Sequence, residues 1–526
     1  MPDAGRFASG RHAGALVPLF SIPSRAAWGI GEIPDLARFA RWLSSAGLDI
    51  VQLLPVNEMA DGQNSPYSAL SAMAIDPIYI ALGEVEEFLA GGGEGAMSGA
   101  DRSDLELARS AAAVDYRRVR ALKTRALRET FGRFEECHWR TSSARARGFG
   151  EFVERERWWL DDYALFRALH AENHGRYWTE WEAGLRSREP AAMDEARRRL
   201  ATEIRYFSWL QWIADGQWQR ARRDASPVGI FGDFPFMVSG DSADVWARQD
   251  QFRLDASVGV PPDAFSETGQ DWGLPVYRWD VVAGTGYEWL QGRARRCVEL
   301  YDGFRIDHLV GFYRTYFREG RNPIGAFVPP DEPSQIAQGE AVLAVILDSG
   351  ARLIAEDLGV VPEFVRESLV RQQVPGLRVL RWEREWQSEG QPFRDPASYP
   401  ALSVATSGTH DTDTLAEWWE SAPDAERAAV AELPAFRAAG GRSDSAFSDV
   451  TRDALIATLF AAGSDILLLP LQDIFGWRAR INVPAVVDDV NWTWRLPWAV
   501  ESLMTEPLAS ERAAFLRSLA ESRGRG

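Results

Sequence analysis

Short apolar runs recur along the chain, and most close on polar or charged residues and lead into helix-like sequence. They fall at residues 15–20, 50–56, 228–234, 304–306, 352–358, 377–382, 402–406 and 466–470. Between them Leu36, Phe39 and Leu43 repeat at spacings of three and four, as do Leu200, Ile204, Phe207 and Leu210. That spacing is one apolar face of a helix. Strand alternating with helix, with polar residues just past the strands, predicts parallel β/α architecture. Counted from Ala15 the runs are close to eight, so the fold expected is α/β, a (β/α)8 TIM barrel with inserted subdomains. Polar residues at the C-terminal ends of barrel strands then share one pocket.

Two regions break the alternation. Residues 91–224 open on the Gly-rich GGGEGAMSG and continue as Arg- and Glu-rich helix, which reads as a mainly helical insertion of structural role. Residues 240–279 are rich in Gly, Pro, Asp and aromatics. They read as a long irregular loop, part of a loop-rich subdomain over 236–300 at the active-site face. The barrel then takes 1–90 and 225–526.

Composition narrows the function. A net charge of −18 disfavours nucleic acid and anionic membranes as partners. Cys137 and Cys297 are the only cysteines, which excludes a disulfide framework and a cysteine metal cluster. Residues 1–20 lack the apolar run of a signal peptide. These features predict a cytoplasmic protein.

The stretch DGFRIDH carries the sharpest chemical signal. Arg305 and Asp307 stand two residues apart on one strand, so both point into the same space. Either they form a buried ion pair that holds the barrel, or Arg305 keeps a reactive carboxylate ionised. Glu356 ends the run RLIAEDL and Asp411 follows SGTH, each just past an apolar run. In a barrel Asp307, Glu356 and Asp411 converge. Chemistry at an acetal carbon uses such a set: one carboxylate attacks, one moves a proton, and one opposes the positive charge of an oxocarbenium-like transition state. Arg305 is expected to hold Asp307 ionised. Glu356, with no cation near it in sequence, is expected to titrate high. Tyr67 in a long polar loop, and Gln270 beside Trp272, are candidate sugar contacts.

The motifs LFSIPSRAAWGIGEI, QLLPVNE, SPYSALSA, GDFPFMV, DSADVWA, GVPPDAFSETGQDWGLPVYRW, DGFRIDH, IAEDLGVVP, SGTHDTDT, LPLQDIFG and INVP span nearly the whole chain. With them the sequence resembles the 4-α-glucanotransferases of the amylomaltase (disproportionating enzyme) type, glycoside hydrolase family 77. The resemblance implies Asp307 as nucleophile, Glu356 as acid/base and Asp411 as transition-state stabiliser. It implies sugar contacts from Tyr67, Gln270, Trp272, Arg305, His410 and Asn482, and Asp233 and His308 stand with them as candidate substrate contacts. It further implies transfer of α-1,4-glucan segments to the 4-hydroxyl of glucose or another glucan, with retention and without a cofactor. The chain departs from the family pattern at Leu274, Leu309, Val310, Thr412 and Ala485. Two other readings stand beside transfer: an α-1,4-glucan hydrolase on the same barrel, and a non-catalytic glucan-binding protein.

Overall fold

A computed structural model describes residues 10–261, 269–320, 325–444, 446–484, 486 and 490–526. Ala485, the middle of the GVPPDAFSETGQ run (262–268), residues 321–324 and the first nine residues lie outside it.

Eight parallel strands close into a barrel. They are β1 (His12–Leu16), β2 (Ile50–Gln52), β3 (Gly229–Phe234), β6 (Gly303–Ile306), β9 (Leu353–Ala355), β10 (Gly376–Val379), β11 (Ser403–Thr406) and β12 (Ile466–Pro470). Each pairs with the next in chain order, and β12 pairs with β1. This is the (β/α)8 barrel expected. Its interior is filled by Ile50, Phe231, Ile354, Leu377, Val404 and Leu468, one inward side chain from each of six strands. Gly303 makes this packing possible, because a Cβ there would stand 2.5 Å from the Phe231 ring.

The strands are shorter than the apolar runs that announced them. The run 50–56 is ladder only over Ile50–Gln52, and Pro55, with no N–H, ends any chance of continuing it. The run 352–358 is strand only over Leu353–Ala355, so Glu356 stands just past the strand end, at the mouth of the barrel. Helix Glu332–Leu347 starts where the Asp331 side chain accepts the Ser334 N–H at 3.0 Å.

The stretch 240–279 is not the irregular loop expected. It contains helix Ala243–Ala247 and strands β4 (Phe252–Val260) and β5 (Gln270–Tyr277). With β7 (Thr315–Glu319) and β8 (Ala326–Val328) these form an antiparallel sheet in the order β5-β4-β7-β8. Its Gly and Asp content hid the strands, yet Gly259 is required there: a Cβ would stand 2.0 Å from the Gln270 carbonyl oxygen.

The region 91–224 is helical, and its long helices Ala144–Glu172 and Ala201–Ala225 pack on each other. Among the described residues no helix is long and apolar enough to cross a membrane.

Candidate active site

Arg305 lies at the centre of the barrel mouth, buried on β6. Strand register puts Asp233 of β3 directly beside it, and Arg305 Nη1 donates to Asp233 Oδ2 at 2.5 Å. Nη2 donates to Asp307 Oδ1 and to Glu356 Oε2, each at 2.8 Å. One guanidinium thus serves three carboxylates from three neighbouring strands. Glu356 Oε2 also accepts the His308 N–H at 2.7 Å. His308 adopts φ +42°, a left-handed conformation rare for a residue with a Cβ, in the turn that presents this N–H to Glu356.

These contacts reverse the expected protonation. Burial raises Asp307 well above the ordinary carboxylate range, and Glu356 and Asp233 add to the rise against the pull of Arg305. Burial also raises Glu356, but Arg305 and the His308 N–H outweigh it, so Glu356 titrates below its ordinary value. The cation expected for Asp307 alone is shared, and Glu356 gains a donor that Asp307 lacks. Asp233, fully buried, is raised by burial as well.

Asp411 stands across the mouth on the loop after β11. It is not on the strand next to Glu356, since β10 intervenes. His410 Nε2 lies 3.2 Å from Asp411 Oδ2, and Asn482 Nδ2 donates to Oδ1 at 2.6 Å. Burial pushes Asp411 up, but His410 and Asn482 bring it down to about 2. His410 is raised in return: burial lowers it, and Asp411 more than compensates.

Tyr67 joins the two sides. Its hydroxyl donates to Asp233 Oδ2 at 2.7 Å and lies 3.2 Å from His410 Nε2, and its ring stacks on His410 at 5.5 Å between centroids. Trp272 of β5 meets the His308 ring edge-on at 4.9 Å, and its indole N–H donates to Gln270 Oε1 at 3.0 Å. All eleven residues singled out in the sequence therefore belong to one contact network, with Gln270 at its rim.

Several neighbours gave no usable sequence signal. Trp492 packs against both Tyr67 and His410. Arg480 Nη2 donates to the Asp411 carbonyl oxygen at 2.9 Å. A cleft of about 760 Å³ opens beside Glu356 and Asp411 and is lined by Trp382 and Trp386, which are 44% and 57% exposed. Among so many tryptophans only exposure separates these from core. Of the departures, Leu309 is buried, and Thr412 Oγ1 turns back to the Thr409 carbonyl oxygen at 3.1 Å. Among the described residues no cluster of His, Cys, Asp and Glu has the arrangement of a metal site.

The family model for 4-alpha-glucanotransferase matches residues 17–501. The chain belongs to the 4-alpha-glucanotransferase family. It is 34% identical to the 4-alpha-glucanotransferase of Thermus thermophilus over 97% of this chain and 98% of that one. It is 32% identical to the 4-alpha-glucanotransferase of Chlamydia pneumoniae over 93% and 92% of the two chains. The amylomaltase from Streptococcus agalactiae in complex with acarbose matches its structure with a TM-score of 0.83 and 26% identity, covering 98% of this chain and 100% of that one. Membership makes the activity transfer between α-1,4-glucans and favours it over hydrolysis and over binding without turnover.

Proposed function

We propose that the chain disproportionates maltodextrins by a retaining double displacement, with Asp307 as nucleophile, Glu356 as acid/base and Asp411 as transition-state stabiliser. The observation that carries this is the shared nitrogen. Asp307 Oδ1 and Glu356 Oε2 each lie 2.8 Å from Arg305 Nη2, so they are at most twice that distance apart. Nearest oxygens within that bound fit the ~5–5.5 Å spacing of retaining pairs better than the ~6.5–9.5 Å of inverting ones.

In the first step an Asp307 oxygen bonds to the anomeric carbon as the glycosidic C–O bond breaks, and Glu356 gives its proton to the departing 4-oxygen. In the second, the acceptor's 4-hydroxyl attacks the same carbon, its proton passes to Glu356, and the ester to Asp307 breaks. In the free protein burial raises Asp307, while Arg305 and the His308 N–H lower Glu356. The first step needs the reverse, a proton on Glu356 and none on Asp307, and one nitrogen holds both groups. Asp411, ionised at any working pH, opposes the charge that grows on the sugar ring.

Substrate contacts fall to Tyr67, Asp233, Gln270, Trp272, Arg305, His308, His410 and Asn482. Asp233 Oδ1 is buried with no protein donor and is suited to accept a sugar hydroxyl. The exposed faces of Trp382 and Trp386 suit glucose rings along the cleft. The division proposed for the chain is a barrel with a helical insertion over 91–224, and a sheet-bearing segment that carries Trp272. The proposed setting is cytoplasmic, supported by two unpaired cysteines, and the acidic charge speaks against nucleic acid partners.

Maltotriose alone, with products resolved by length over time, tests the reading. Glucose with a ladder of longer maltodextrins is expected. Glucose and maltose with nothing longer would mean that water is the acceptor.

A further inference from the structure

Helix Ala144–Glu172 buries polar side chains where an amphipathic helix buries carbon. Tyr163, Arg167 and His170 follow at spacings of four and three, so they share one face, and all three are buried. The Tyr163 hydroxyl donates to Glu58 Oε2, and Arg167 Nε donates to Glu58 Oε1 at 3.1 Å. Both oxygens of one fully buried carboxylate are thus held by the helical insertion. One turn on, His170 Nε2 lies 3.2 Å from Asp241 Oδ2, in the loop after β3.

Glu58 belongs to the loop after β2, the loop that carries Tyr67. Its N–H donates to the Ala74 carbonyl oxygen at 3.1 Å, and its own carbonyl accepts the Leu70 N–H at 2.7 Å. Ala60 N–H donates to Ser68 O at 3.0 Å, and Tyr67 is the next residue back from Ser68. The second long helix of the insertion grips the same ladder. Gln211 accepts the Ile75 N–H and donates to the Ile75 carbonyl, both at 2.9 Å, and donates to the Tyr163 hydroxyl at 3.1 Å. A buried ion pair adds little stability over well-packed carbon but fixes direction, because its hydrogen bonds have one geometry.

We propose that Glu58, Tyr163 and Arg167 are positioning residues for glucan transfer: the helical insertion sets the Tyr67 loop, and through it the Tyr67 hydroxyl on Asp233 and His410. This extends the insertion's role from packing to catalysis. It rests on the reading of Tyr67 as a substrate contact given above.

The test is a double-mutant cycle on maltotriose disproportionation. Glu58→Gln and Tyr163→Phe are made alone and together with Tyr67→Phe, and kcat, KM and melting temperature are measured for each. Each single variant is expected to lose about tenfold in kcat with KM moved less than about twofold, as displacement of a working group does. Each double variant is expected to be no slower than Tyr67→Phe alone, within about a factor of two. Tyr163→Phe removes one hydroxyl from a packed ring and keeps the test alive if Glu58→Gln does not fold. Full kcat with a lowered melting temperature would overturn the proposal, since the network would then be scaffold alone. Losses that multiply in the doubles would overturn it too. A Tyr67→Phe variant of full activity beside slow Glu58→Gln would overturn both the route through Tyr67 and the contact assigned to it, while leaving the three carboxylates standing.

Discussion

Two carboxylate environments face each other across the mouth of the barrel, and they solve opposite problems. On the β3–β6–β9 side, Asp233, Asp307 and Glu356 share the single cation of Arg305. On the loop side, Asp411 is held by His410 and Asn482. On the crowded side burial, Glu356 and Asp233 raise Asp307 against the pull of Arg305. The loop side holds a permanent charge, with Asp411 down at about 2. Retaining chemistry needs both: a proton that can be relocated within a few ångströms, and a fixed negative charge that stays put while the proton moves.

The largest effect expected comes from the crowded side. Asp307→Asn should lower the transfer rate by at least ~10⁴-fold while leaving the fold intact. The same variant should melt higher than the parent at neutral pH. The sign follows from linkage: a carboxyl raised on folding binds more protons folded than unfolded, so stability falls as pH climbs from the ordinary value through the raised one. Removing the charge removes that loss, and the difference in melting temperature should close below about pH 4. An unchanged melting curve across this range would show that Asp307 is not crowded.

Glu356→Gln should lose roughly 10²–10⁴-fold on maltotriose. It should lose much less on a maltosyl fluoride donor, whose leaving group needs no proton. Equal losses on both donors would remove Glu356 from the acid role. Asp411→Asn should cost roughly 10²–10³-fold, with the loss in kcat rather than KM, because the charge it opposes exists only in the transition state. A loss confined to KM would make Asp411 a simple sugar contact.

The smallest expected change is the most diagnostic of crowding. Asp233 raises Asp307, so Asp233→Asn should move the acidic limb of the pH–rate profile to lower pH. Asp411→Asn should move that limb less, since Asp307 is raised by burial, Glu356 and Asp233. If both variants move the limb alike, the two sides are one titrating cluster and the contrast between them fails.

How legible this was in the sequence depended on distance along the chain. The Arg305–Asp307 contact follows from two residues of one strand and was readable directly. Glu356's grip on the same guanidinium spans two strands and a helix, and its second donor is a backbone N–H turned by an unusual φ at His308. Neither leaves a trace in residue types, and this is why the protonation expected for the pair came out reversed. The barrel strands showed as apolar runs because their side chains are buried on both faces. Strands β4 and β5 did not, because their sheet is partly exposed and built on Gly and Asp. Trp492 and Glu58 looked like ordinary residues until the fold set one beside Tyr67 and buried the other against Arg167.

The most direct measurement is to trap the glycosyl-enzyme with 5-fluoro-α-glucosyl fluoride, digest the protein, and locate the added sugar by mass spectrometry. The account predicts one sugar per chain, bonded to Asp307 on the crowded side. A sugar on Asp411 or Glu356 would contradict it.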